Sequence, residues 1–285
     1  MIDKTGIYTI SNEEYHSDCC VKPCLSRGTI MDLLFKSPAH AIVNHPHFYK
    51  QEDGNDKKYS IGQAAHSLFL EGIDKACVID ADDWRKKETK EQRDQAYTEG
   101  KIPLLIKQYE EINDMVSTAN KALLESELET TIETGIPEES IFWKEGETWF
   151  KVRMDWYDND IILDYKTSES ANPEDFVRKV LSLGYDVQDA LYSRGYEEHF
   201  HPPRSPRFIF MVQEITKPYL CSFISLSPEF KDMGRKKVNQ GIALWKNCLS
   251  TNEWPGYPNR ICYIDPPPWA ANWQMRANIN EGEEI

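Results

Sequence analysis

No long apolar run occurs anywhere in this 285-residue chain. A bilayer span needs roughly 18 to 20 consecutive apolar residues, so no membrane partner is expected. The opening stretch, MIDKTGIYTISNEEYHSD, has no apolar secretory core either, which sets the expectation of a cytoplasmic protein. Positive charge is short: the net charge of −14 argues against coating nucleic acid through a general basic surface. Small clusters at Arg85-Lys86-Lys87, at Arg204 with Arg207, and at Arg235-Lys236-Lys237 leave room for a local groove. Paired cysteine motifs are missing too. The seven cysteines (19, 20, 24, 77, 221, 248, 262) are odd in number with no C-x-x-C, and read as free thiols. His45/His47 and His199/His201 have no further partners at zinc-ligand spacing. No internal repeat is present.

What remains is an ordinary globular composition, 40% hydrophobic and 28% charged, with ample material for a core. LSRGTIMDLLFKSP predicts a helix capped by Ser26 and stopped at Pro38. The polar stretch KQEDGNDKKYS predicts a loop, and SIGQAAHSLFLEG a short helix closed by Gly72. Residues 84–128 carry apolar positions, Leu104 and Leu105 among them, at a spacing that predicts two helices. SIFWKEGETWFKVRMDWYD alternates about Glu145-Gly146 as a hairpin should. Its second arm is expected to place Phe150, Val152, Met154 and Trp156 on one face and Lys151, Arg153 and Asp155 on the other. Ile161-Ile162-Leu163 continues as a buried strand, and Asn172-Pro173 opens a helix that Gly184 ends. A second helix, two strands and a final helix over 228–249 follow. The expectation is an α/β fold with a mixed central sheet flanked by helices and a helical N-terminal lobe. We expect one domain over 1–250, with a helical insertion at about 84–128 and a Pro/Trp-containing tail over 251–285.

Chemistry concentrates at DNDIILDYKTSES. Asp164 and Lys166, two apart on a strand, project to one face. If the strands pair through Asp158-Asn159-Asp160, Asp155 comes close to Asp164. Two carboxylates brought together repel unless a cation lies between them, and hard oxygen ligands suit Mg²⁺ or Mn²⁺. A lysine beside such a site can orient or help deprotonate a water and stabilise charge on a phosphate.

This D-x8-D-Y-K arrangement resembles the core of the PD-(D/E)xK nuclease superfamily. GQAAH (Gly62 to His66) resembles the GxxxH motif, and QDALY (Gln188 to Tyr192) the QxxxY motif, of the branch containing RecB-type nucleases and exonuclease VIII. The likeness runs from the Ser26 helix to about residue 230. It looks closest to exonuclease VIII and its phage-encoded relatives, and more distantly to lambda exonuclease. The resemblance implies a restriction-endonuclease-like core with Asp155, Asp164, His66 and the backbone carbonyl of Tyr165 as metal ligands. Lys166 would position the water, and Arg27, Gln188 and Tyr192 would contact DNA. It further implies Mg²⁺-dependent 5′→3′ degradation of linear double-stranded DNA to 5′-mononucleotides, with the 3′ tails passed to a single-strand annealing protein in phage-type recombination. A homo-oligomeric ring and a phage or prophage origin in a bacterial host belong to the same expectation. Some relatives hold an iron-sulfur cluster. Here Cys24 precedes the core and Cys221, Cys248 and Cys262 follow it without the tight spacing such ligands need, so no cluster is expected. Two alternatives stay open: a non-catalytic recombination-partner binding protein on a nuclease fold, and an endonuclease or CRISPR-adaptation-type nuclease.

Overall fold

The computed structural model describes residues 1–49, 61–72, 75–128 and 130–266. The KQEDGNDKKYS stretch lies outside the described residues, as do Pro267, Pro268, Trp269 and Trp273. In chain order the elements are β1 (Gly6–Tyr8), α1 (Asn12–His16), β2 (Cys24–Leu25), α2 (Arg27–Phe35), α3 (Pro38–Asn44) and α4 (Ile61–Glu71). Then come β3 (Ala76–Ile79), α5 (Lys87–Thr98), β4 (Ile102–Leu105) and α6 (Ile106–Leu124). The remainder is β5 (Ile136–Glu145), β6 (Thr148–Asp158), β7 (Ile161–Ser168), α7 (Pro173–Leu183), α8 (Tyr185–Phe200), β8 (Arg207–Glu214), β9 (Cys221–Ile224) and α9 (Pro228–Thr251).

The strands line up β1-β5-β6-β7-β8-β9, with β2 running parallel beside β6. Every pair along that order is antiparallel except β7 with β8. The crossover from β7 to β8 passes through α7 and α8, the length that a parallel connection requires. Side chains alternate across β7 and β8, so the sheet is buried on both faces. Ile162, Phe208, Phe210 and Val212 join the core built with Val187 and Leu191 of α8 and Val238 and Trp245 of α9. Leu163, Tyr165, Ile209 and Met211 join the opposite one with Phe69 of α4 and Ala119 and Leu123 of α6. The result is a mixed, mostly antiparallel sheet between helical layers. No helix among the described residues is long and apolar enough to cross a membrane.

Three local expectations need correction. Pro38 does not merely stop a helix: Ser37 caps a new one, α3, with Pro38 in its first turn, where a missing N–H does no harm. Ile102–Leu105 is a strand paired in parallel with β3, so Leu104 and Leu105 belong to a sheet and not to a helix. Four fully buried apolar residues in a row carry no period by which strand and helix can be told apart. Finally, Phe150, Val152 and Met154 do share a face, but Trp156 packs in the opposite cluster and Tyr157 in theirs. The alternation slips at Asp155. There Pro137↔Trp156 and Glu139↔Met154 are paired while the intervening Glu138 and Asp155 are not, and Glu138 has a left-handed backbone, φ 57°. Such a conformation costs an ordinary residue about 1–2 kcal/mol.

Candidate metal centre

Asp155 lies where β6 slips, and α4 brings His66 to it. Gly62 makes that approach possible: a Cβ at this position would sit 2.5 Å from Thr167 Oγ1 on β7. The glycine of the GxxxH spacing therefore lets the helix lie against the strand, and one turn later His66 reaches the acid. His66 Nε2 is 3.0 Å from Asp155 Oδ2, and His66 Nδ1 is 3.8 Å from Glu138 Oε1. One ligand atom each from His66, Glu138 and Asp155 fall within 4.8 Å of one another, the one such grouping of histidine, cysteine and acid groups among the described residues. The same Asp155 oxygen accepts the Tyr165 backbone N–H at 3.0 Å. N–H and C=O of one strand residue point to the same edge, so the Tyr165 carbonyl projects toward this side too.

Asp164 stands next to this group, 1% exposed. Its carboxylate is ion-paired with Lys166 and accepts a hydrogen bond from Gln188 Nε2. The Lys166 ammonium also sits over the Tyr185 ring, 5.6 Å from its centre. Burial raises the Asp164 carboxyl to about 6, against the pull of Lys166 and with a push from Asp155. Burial acts the opposite way on Lys166, but Asp164 and Asp155 outweigh it and hold the ammonium above its ordinary range. Of this pair the acid is the half that titrates, and the amine stays charged. Lys166 is thus a hydrogen-bond donor and counter-charge rather than a base in the metal-free protein. Burial would raise Asp155 as well, but His66 and Lys166 bring it below its usual value. Burial opposes the charged form of His66, and Asp155 overcomes it, leaving the imidazole above 6.5.

Of the residues singled out in the sequence, His66, Asp155 and Tyr165 meet directly, and Asp164, Lys166 and Gln188 form the adjoining cluster. Tyr192 lines two clefts. One, of about 1010 Å³, holds His66, Glu138, Asp155 and Lys166; the other, of about 1040 Å³, holds Arg27, Tyr185, Gln188 and Lys166. They meet at Lys166 and Tyr192. Arg27 donates to the Leu183 carbonyl, keeps its Nε buried without a partner, and lies 5.9 Å from the Tyr185 ring centre. It does not touch the metal-side residues directly. Glu138 is the residue that the sequence reading missed. Its signal was in the hairpin register: counted outward from Glu145↔Thr148, Glu138 falls opposite Asp155.

An imidazole nitrogen with several carboxylate oxygens is a donor set that fits a divalent cation of the Mg²⁺ or Mn²⁺ type. The buried acids add a reason. Asp155 repels both Asp164 and Glu138 in a low-dielectric setting, and an ion among them would relieve it. His66, Glu138, Asp155 and Asp164 are the side chains that would hold it.

Comparison with known proteins bears on the fold and the family. In fold, the chain is similar to a "Putative exonuclease" from Eubacterium rectale, with a TM-score of 0.59 and 12% identity over 98% of this chain and 100% of that one. At that identity the likeness speaks for the fold alone. SSO0001 also matches, at 13% identity over 69% of this chain and 97% of that one, but its TM-score of 0.25 is too low to carry an argument. No curated protein sequence matches the chain. A family model, "PDDEXK-like domain of unknown function (DUF3799)", matches residues 29–267. That span takes in His66, Asp155, Asp164, Lys166, Gln188 and Tyr192, and the protein belongs to this PDDEXK-like family, with the PD-(D/E)xK nuclease fold.

Proposed function

We propose that this protein is a divalent-metal-dependent nuclease acting on DNA, and more narrowly a 5′→3′ exodeoxyribonuclease on linear double-stranded ends. The observation that carries this reading is the convergence of His66, Glu138 and Asp155 beside the Asp164–Lys166 pair, where two clefts join. A bound Mg²⁺ or Mn²⁺ supplies Lewis-acid stabilisation of the charge that develops on a phosphate undergoing in-line displacement. The protein's own groups do the rest. Lys166, kept protonated by two acids, donates to a phosphate oxygen and orients the attacking water. Gln188 holds Asp164 in place, so that the acid faces the site rather than Lys166 alone. In the second cleft the Arg27 guanidinium and Tyr192 receive the phosphate backbone of the strand.

Polarity, duplex preference and mononucleotide products follow from the likeness to exonuclease VIII and its relatives. So do the annealing-protein partner for the 3′ tails and a ring-shaped homo-oligomer. An acidic exterior suits such an enzyme, since it discourages adhesion along duplex DNA while a few basic groups act at the site. The test is degradation of linear duplex DNA labelled at the 5′ or the 3′ end, with Mg²⁺ or EDTA, comparing wild type with Lys166→Ala. Mg²⁺-dependent release of the 5′ label as mononucleotide, lost in Lys166→Ala, is the expected result. Folded protein that cuts with neither Mg²⁺ nor Mn²⁺ would overturn the catalytic reading.

A further inference from the structure

We infer that Arg153 is a positioning residue for the metal centre, and that it ties the N-terminal segment into that centre. The inference rests on the metal-binding reading of His66, Glu138 and Asp155. Arg153 lies on β6 two residues before Asp155, with its side chain 11% exposed. Its Nε donates to Glu138 Oε2 at 2.6 Å, and its Nη1 to the Ile10 carbonyl at 2.6 Å. With Oε2 occupied, Oε1 is the Glu138 oxygen left facing His66. The guanidinium thus fixes which oxygen is offered to a cation, and it fixes it at a residue whose backbone is left-handed and whose ladder pair is missing. A lysine could supply the charge but not the rigid two-armed reach.

The other arm points to a second consequence. Ile10 precedes residue 29, where the family match begins, yet residues 9–13 line the metal-side cleft. Arg153 is the link between that wall and the acid. Lys151, two residues back on the same strand, anchors the next stretch in a similar way, donating to the Tyr15 carbonyl at 2.6 Å. It makes no contact with Glu138, which makes it a useful comparison.

The experiment measures Mn²⁺ binding to DNA-free protein by electron paramagnetic resonance of the free ion. It compares wild type, Arg153→Met, Glu138→Gln, the double variant and Lys151→Met, each checked by thermal melting. Arg153→Met is expected to weaken binding about 10- to 100-fold, as loss of a group that orients a ligand does. The double variant should bind no more weakly than Glu138→Gln alone, and Lys151→Met should bind as wild type. Wild-type affinity in Arg153→Met beside weakened binding in Glu138→Gln overturns the inference and leaves the metal centre standing. So does equal weakening by Lys151→Met, which would make the effect one of the N-terminal wall alone. Wild-type affinity in Glu138→Gln removes Glu138 from the metal centre and the inference with it. Should Arg153→Met fail to fold, Arg153→Lys provides the same comparison with the charge retained. No cleavage is involved, so a protein that binds Mn²⁺ but leaves DNA intact counts against the nuclease reading only.

Discussion

Replacing Gly62 with alanine tests whether the approach of α4 to β7 sets the metal centre. Two effects oppose each other. Alanine is favoured over glycine within a helix by about 0.8–1 kcal/mol. Against this, the new Cβ would lie 2.5 Å from Thr167 Oγ1 and 3.3 Å from Thr167 Cβ, where ordinary contact begins at 3.4 Å. The helix must therefore lift by roughly 1 Å, and overpacking of this kind costs about 1–3 kcal/mol. The clash should win by about 0–2 kcal/mol, lowering the melting temperature by a few degrees in a chain of this size. His66 lies one turn further on the same face, so the lift also moves its ring from Asp155, and Mn²⁺ affinity should fall with the melting temperature. Both are measurable on DNA-free protein, by differential scanning calorimetry and by Mn²⁺ titration. Thr167→Ala in the same chain removes the clashing hydroxyl and should restore both. The reasoning fails if Gly62→Ala melts above wild type and binds Mn²⁺ as tightly.

Two further outcomes follow from the buried acids. Cation binding needs Asp164 ionised and His66 neutral; with the acid near 6 and the imidazole above 6.5, Mn²⁺ affinity should rise more than about tenfold between pH 5 and pH 7.5, and a flat titration would contradict these assignments. Metal-free stability should move the other way: a carboxyl raised in the folded state contributes stability that is present below its unfolded value of 3.8 and lost as pH rises through about 6. Asp164→Asn should remove that pH dependence, its melting temperature falling less than that of wild type between pH 4 and pH 8 while it binds Mn²⁺ more weakly; an equal fall in both proteins would refute it.

Most of the core was legible because it rests on local rules. The Glu145-Gly146 turn, the alternation of Phe150, Val152 and Met154, and the Asn172 cap and Gly184 stop all act within a few residues. Placing Asp155 near Asp164 needed only a strand register across a short turn, and Trp156↔Leu163 is the register that does it. The misses share a different cause. β1, β2 and β4 are short and pair with strands distant in sequence, where no local pattern announces them. The slip at Asp155 depends on a left-handed Glu138 that no glycine or asparagine marks, although the hairpin register alone sets Glu138 opposite Asp155. Arg153 read only as a polar-face residue, since its worth lies in contacts with Glu138 and with Ile10, far away in the chain.

An acid and an amine within a buried strand are costly neighbours unless each has further partners. Here the cost is contained by distributing one charge over several groups. Asp164 is shared between Lys166 and Gln188, and Lys166 in turn faces the Tyr185 ring. Burial still lifts Asp164 to about 6, so the metal-free pair is compensated only in part. A cation bound beside the pair would relieve that residual penalty. A purely structural pair would serve the fold better as two well-packed apolar side chains. A centre that takes a cation needs instead an acid able to ionise beside an ammonium held charged by the neighbouring acids. Asp164 and Lys166 are both raised, the acid by burial and the amine against burial, because Asp164 and Asp155 together hold the ammonium in its charged form.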